Sequence, residues 1–274
     1  MSFKDHFSRL AAQYSAFRPA YPPAIFDYLA QLCRDRQIAW DCACGTGQAT
    51  LALAERFQAV IATDASAQQV AAAPAHPNVT YRAARAEESG IESQSVDLVT
   101  VAQALHWFDL DPFYGEVQRV LKPSGVLAVW TYGPLQVDGC DACVARVPMG
   151  GHTGLARSRD CVAQCEIDAL FQEFYWSIVG PYWPPERRFV EEGYRGLTFP
   201  FAEIAPPAFN MEVHWERAHL LGYLRTWSAT ARYVEATGVD PVEVLEERLT
   251  PVWADAHSTR KVTWPLALRV GYKP

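Results

Sequence analysis

The 274-residue chain has no stretch near the roughly 18 uninterrupted apolar residues of a membrane-spanning helix. Its first residues, MSFKDHFSRLAAQ, are polar and amphipathic and contain no apolar signal-peptide core, so a cytoplasmic location is the default expectation. Clustered Lys and Arg are missing too: 24 basic against 31 acidic residues leave a net charge of −7 and a pI near 5.5. Phosphate contacts need such clusters, which argues against a nucleic-acid partner. No internal repeat and no low-complexity tract interrupts the chain. Half of the residues are hydrophobic and 20% are charged, ordinary globular values. The length suits one large domain or one domain with an elaborated cap.

Short apolar runs alternate with amphipathic stretches. Helical stretches over 3–17 and 22–35 are expected before a strand at 38–43. There follow a helix at 47–57, strand 59–64, helix 66–73, strands 79–83 and 96–102, helix 111–121 and strand 126–132. The C-terminal third reads as strand 209–215, helical stretches 217–236 and 241–255, and a last strand at 261–272. This order predicts an α/β fold with a doubly wound, mostly parallel sheet covered on both faces.

Residues 40–50 read WDCACGTGQAT: Asp41 ends a strand, and Gly45-Thr46-Gly47 opens a helix. Asp64 ends the next strand. Two strand-end carboxylates around a glycine turn describe a nucleotide-type pocket outside the carboxyl ends of a parallel sheet. A dinucleotide fingerprint wants a third small residue, but counting from Gly45 that position is Thr50, which is β-branched. S-adenosyl-L-methionine carries an ammonium, a carboxylate and a sulfonium instead of phosphates. Asp41 then suits its cationic end and Asp64 its ribose hydroxyls. The plainer reading is a tight turn with solvated acids.

The chain resembles class I S-adenosylmethionine-dependent methyltransferases of the small-molecule group that includes trans-aconitate and juvenile-hormone-acid methyltransferases. The matching segments are YSAFRPAYP (14–22), DCACGTG (41–47), VIATDAS (60–66), ARAEE (84–88), VDLVTVAQALHWFD (96–109) and EVQRVLKPSGVLAVW (116–130), in order over the first half. Ala43 departs from the pattern, standing where the family's turn has its first glycine, and alanine fits there only if its φ is negative. The resemblance implies a seven-stranded sheet with an antiparallel last strand, and one domain over 1–274 with 133–208 as a cap inserted between the fifth and sixth strands. It also implies that Ala86 and Glu87 lie at the adenine edge, and that Tyr14 and Arg18 fold over the cofactor, the arginine pairing with its carboxylate. A helix-terminal arginine satisfying carbonyls competes for Arg18.

Methyl transfer from a sulfonium is an in-line displacement, so the protein must align the nucleophile and exclude water. A carboxylate acceptor is already ionised and needs no base. The resemblance implies that Gln103 and Trp107, after the fourth strand, hydrogen-bond a substrate carboxylate. His106 between them is a general base if the acceptor is a hydroxyl, or an ordinary loop residue. In the segment FYWSIVGPYWPPERRFVEEGYRGLTFPF, aromatic walls with Arg187 and Arg188 suit an organic acid, although most of these aromatics simply pack the cap. The expected partner is therefore a small organic acid, and the protein a monomer or homodimer. An inert cofactor-binding regulator and an NAD-dependent oxidoreductase are the alternatives.

Cys33, Cys42 and Cys44 read as small buried hydrophobes. Cys140, Cys143, Cys161 and Cys165 form two close pairs that approximate a zinc spacing, in a segment that looks inserted. A flexible loop with free thiols is preferred, with zinc second and disulfides third.

Overall fold

The computed structural model describes residues 19–137 and 159–274, and of 159–165 the backbone alone. Helix α1 (Pro23–Leu32) begins at a proline pair, where a missing N–H costs nothing. The nucleotide-type half then alternates except between β3 and β4, which follow one another: β1 (Ile38–Cys42), α2 (Gln48–Ala54), β2 (Ala59–Asp64), α3 (Ala67–Ala72), β3 (Val79–Ala83), β4 (Val96–Ala102), α4 (Leu110–Val120) and β5 (Leu121–Tyr132). Ser66 caps α3 by accepting the Gln69 N–H, 3.3 Å. Helix α4 is amphipathic and buries Phe113, Tyr114, Val117 and Val120. The expected helix at 3–17 lies outside the described residues.

The strands order as β3-β2-β1-β4-β5 in parallel, and β9 (Arg260–Tyr272) pairs antiparallel with β5. Strand β8 (Phe209–Trp215) lies antiparallel on the opposite edge of β9, because Leu266 partners both Tyr132 and Phe209. Two short strands raise the expected seven to nine among the described residues: β6 (Gln136–Val137) and β7 (Ala202–Ile204), both on β9. Two or three residues show no period, so neither is legible as a strand. Side chains alternate across β5: Val126, Ala128 and Trp130 enter the core with α1 and α2, while Leu127 and Val129 enter the core with α4. Each large side chain so buried contributes about 1.5–3 kcal/mol.

The stretch expected as one helix over 217–236 is two, α7 (Arg217–Arg225) and α8 (Ser228–Thr237). Trp227 between them is extended, and the Thr226 and Thr230 hydroxyls donate to the carbonyls of Tyr223 and Leu224 in competition with the helix ladder. The break turns Trp227 onto Tyr175, Trp183 and Tyr223. Helix α9 (Pro241–Leu249) is six residues shorter than the stretch expected to reach 255.

Between β6 and β7 the described chain forms α5 (Arg159–Glu173), a π-helical turn (Phe174–Ile178), a 3-10 turn (Gly180–Tyr182) and α6 (Arg187–Glu191). Helix α6 packs on β5 and on the turn Leu105–Trp107 that follows β4. This brings chain from residues 174–194 onto the carboxyl ends of β4 and β5, the side where a parallel sheet binds ligands.

Candidate active site

The turn after β1 is built from left-handed residues: φ is +56° at Ala43, +55° at Gly45 and +85° at Gly47. The expectation of a negative φ at Ala43 is therefore corrected. An L-residue there costs about 1–2 kcal/mol, held by the turn's bonds. Cys44 N–H donates to the Thr63 carbonyl and Gly47 N–H to the Cys44 carbonyl, both at 2.9 Å. Gly45 N–H donates to Asp64 Oδ2 at 2.9 Å, and Ser66 N–H donates to Asp64 Oδ1 at 2.8 Å. Asp64 thus lies half-buried beside the turn and ties it to β2.

Asp41 does something else. It is 1% exposed, and its oxygens accept the hydroxyls of Thr50, 2.6 Å, and Thr100, 3.0 Å. Burial raises its pKa to about 6 against those two hydrogen bonds. The carboxylate is turned inward and braces β1 against α2 and β4. Thr50, too bulky for a dinucleotide turn, is the partner of that brace.

The exit of β4 is also more closed than the sequence implies. Gln103, at φ +57°, donates its Nε2–H to the Tyr132 carbonyl, 3.1 Å, and its Oε1 accepts the Thr131 hydroxyl. Its amide thereby joins β4 to the end of β5. His106 Nδ1 lies 3.0 Å from the Tyr194 hydroxyl, and its ring packs on Trp107, centroids 4.6 Å apart. Burial first, then the positive charge of Arg187, lowers the His106 pKa to about 3, so the imidazole is neutral at physiological pH. Trp107 is 41% exposed.

Arg187 arrives from α6. Its Nε–H donates to the Tyr175 hydroxyl at 2.9 Å, and that hydroxyl donates to Glu191 Oε1 at 2.8 Å. The guanidinium sits 4.5 Å from the centroid of the Trp183 ring. Among the described residues no carboxylate forms an ion pair with it, and its terminal N–H groups have no partner. Arg188 stands over Phe189 instead, at 4.7 Å. Of the expected Trp183–Arg188 corner, Trp183 and Arg187 come to the β4 exit.

Glycine-turned strand ends, a half-buried acid on β2 and an aromatic cap are the geometry that relatives can test. A protein of Dictyostelium discoideum named as a candidate methyltransferase is 28% identical over 262 residues, 95% of this chain and 90% of its own. Residues 40–129 match a family described as Methyltransferase domain. A solved structure from Anaeromyxobacter dehalogenans, named as a candidate type II methyltransferase, shares 40% identity at a TM-score of 0.81, covering 94% of this chain and 98% of that one. This chain belongs to the class I S-adenosylmethionine-dependent methyltransferases.

In this methyltransferase Ala86 is buried and Glu87 engages Arg85, 3.2 Å, and the Asp109 N–H, 3.4 Å. Tyr14 and Arg18 lie outside the described residues, as do Cys140 and Cys143. Cys161 and Cys165 fall on the described backbone of α5. Cys33, Cys42 and Cys44 are free and buried, and burial pushes their thiols up, as expected of small core residues. Among the described residues no helix is long and apolar enough to cross a membrane. Sequence reasoning missed Tyr194, Thr131 and Tyr175. Tyr194 is fully buried at a left-handed φ of +61°, a conformation a tyrosine keeps only where its surroundings hold it, and no local pattern announces it.

Proposed function

We propose that this methyltransferase transfers a methyl group to a carboxylate oxygen of a small organic acid. The carrying observation is Arg187, a guanidinium over Trp183 beside the β4 exit whose terminal N–H groups have no partner among the described residues. Such a fork matches a carboxylate in a charge-assisted pair. The titratable groups around it fit the same reading. His106 is neutral with a pKa of about 3, and burial pushes the hydroxyls of Tyr194 and Tyr175 up. None is an effective base near neutral pH, and a carboxylate alone among common acceptors needs none. The trans-aconitate-type resemblance of the first half points the same way.

Bound S-adenosylmethionine supplies an electrophilic methyl group on sulfur. The turn residues Ala43, Gly45 and Gly47 let backbone approach it closely, and Asp64 accepts the ribose hydroxyls. Ala86 and Glu87 border the adenine, and Tyr14 and Arg18 close the methionine end. Arg187 and Trp107 hold the acceptor carboxylate, and Gln103 and Asp41 keep the strand ends that carry them in place. Residues 133–208 act as the cap of a single domain spanning 1–274, and both the reaction and its partner are small-molecule chemistry in the cytoplasm.

A panel of carboxylic acids, phenols and amines assayed with labelled methyl donor tests this. The expected product is a methyl ester that releases labelled methanol in mild alkali. Label that survives alkali as an ether or a methylamine defeats the carboxylate reading. Arg187→Met is expected to raise the KM of the acid about tenfold or more, leaving the donor's dissociation constant unchanged.

A further inference from the structure

Arg187 and Glu191 are the first and last residues of α6, four positions apart. At that spacing opposite charges on one helix ordinarily meet as an ion pair. Neither charge helps the helix where it stands, because a cation at the first turn and an anion at the last run against its dipole. No direct pair forms between these two described residues. The Tyr175 hydroxyl lies between them, 2.9 Å from Arg187 Nε and 2.8 Å from Glu191 Oε1. Arg187 Nε carries a hydrogen and accepts nothing, so the hydroxyl accepts from it and gives its single proton to the carboxylate. Tyr175 is 2% exposed, and its ring packs on Trp183 and Trp227 with centroids 5.7 Å away in each case. It reaches this place from the π-helical turn Phe174–Ile178, where the Val179 N–H donates to the Phe174 carbonyl at 2.9 Å. Such widened turns are rare in helices and frequent at functional sites.

We infer that Tyr175 is a positioning residue: it holds Arg187 at Nε and keeps Glu191 from closing on the guanidinium, which leaves the terminal N–H groups to the carboxylate of the methyl acceptor. A guanidinium has five N–H donors. One is spent on Tyr175, and the other four, on the two terminal nitrogens, have no partner among the described residues. Those two nitrogens match the two oxygens of a carboxylate end-on. The Trp183 ring, its centroid 4.5 Å from the guanidinium carbon, covers one face of the same group. Glu191 paired directly with Arg187 would neutralise it before an acid arrived. Held one hydroxyl away, the carboxylate fixes the Tyr175 proton and leaves the fork unoccupied. Burial pushes the Tyr175 hydroxyl up, so the spacer stays a neutral O–H. The carboxylate at the fork rests on the reading proposed above, whereas the spacer rests on the two hydrogen bonds alone.

Two variants of the full chain test it. A crystal structure of Tyr175→Phe should show the Glu191 carboxylate within about 4 Å of the Arg187 guanidinium, and finding the two still apart overturns the inference. With 3-phenylpropionate as the acid and a labelled methyl donor, Tyr175→Phe should raise KM about tenfold with kcat nearly unchanged. Glu191→Gln removes the competing charge, so Tyr175→Phe/Glu191→Gln should recover most of that KM. A tyrosine that only packs the cap would give a loss that Glu191→Gln does not recover, and that result overturns the inference, as does an unchanged KM in Tyr175→Phe. A crystal structure of the native protein with Glu191 already paired to Arg187 overturns it too, whether or not either variant folds. If native enzyme leaves 3-phenylpropionate unmethylated while Glu191 closes on Arg187 in Tyr175→Phe, the spacer stands and the carboxylate reading is what fails.

Discussion

Gly47 offers the sharpest perturbation of the donor half of the site. Its φ of +85° forbids an ordinary side chain, and a Cβ placed there would lie 2.6 Å from the Tyr81 hydroxyl, with the next ring atoms at 3.4 Å. Gly47→Ala therefore carries two penalties: about 1–2 kcal/mol for left-handed backbone and about 1–3 kcal/mol for overpacking against Tyr81. We expect a loss of about 3 kcal/mol in stability by denaturant unfolding. The two penalties can be separated, because the clash falls almost wholly on one atom. Among the described residues that hydroxyl is buried without a well-formed hydrogen bond, so Tyr81→Phe should cost little by itself. In the Tyr81→Phe background, Gly47→Ala should lose only the backbone part, a favourable coupling of about 1 kcal/mol or more. Calorimetry should show donor affinity recovering in the double variant along with stability. Additive single effects, with coupling below about 0.5 kcal/mol, would refute the steric reasoning and leave backbone strain as the whole cause.

At Ala43 the strain runs the other way, and Ala43→Gly should gain about 1 kcal/mol, read as a Tm rise of about 2–4 °C; a lower Tm would mean the turn relaxes in solution to negative φ. Asp64→Ala should weaken donor binding by about 1.5–3 kcal/mol, and an unchanged dissociation constant in the folded variant would remove Asp64 from the ribose position. The Asp41 carboxyl is raised to about 6 from 3.8, so folding favours its protonated form. That contribution, roughly 3 kcal/mol, is complete below about pH 4 and lost as pH rises through about 6, and Asp41→Asn should flatten this component of unfolding free energy between pH 4 and 7. His106, near 3, should leave the rate at saturating acid flat from about pH 6 to 9, where a limb near 6.5 would show a solvated imidazole acting as base.

What the sequence discloses here depends on how local the cause is. The turn after β1 is determined by neighbours in the chain, and Gly45, Gly47 and the strand-end acid Asp64 stand where the pattern puts them. Asp41 shares that pattern, yet its direction is decided by Thr100, 59 residues away on β4, whose hydroxyl draws the carboxylate into the sheet. Ala43 shows that an alanine can occupy a left-handed position when five backbone and side-chain bonds around it hold the turn. Gln103 reads as a substrate group because its neighbours are loop-like. The end of β5 claims its amide, and nothing between residues 96 and 109 signals that claim.

The acceptor half is non-local throughout. Tyr194 reaches His106 across 88 residues, and Arg187 reaches the same imidazole from a helix of five residues that has no period to detect. The two halves nevertheless share one support. The strand ends that carry the donor turn, β1 and β4, are joined through Asp41 and Thr100, and β4 is joined to β5 through Gln103 and Thr131. Changes in the cap beyond Thr131, at Tyr175, Trp183 or Arg187, touch neither link. They should therefore alter the choice and KM of the acid while donor affinity stays constant, whereas changes at Gln103 or Thr131 should disturb both. Cap residues are in this way open to variation in specificity, and the strand-end bonds are not.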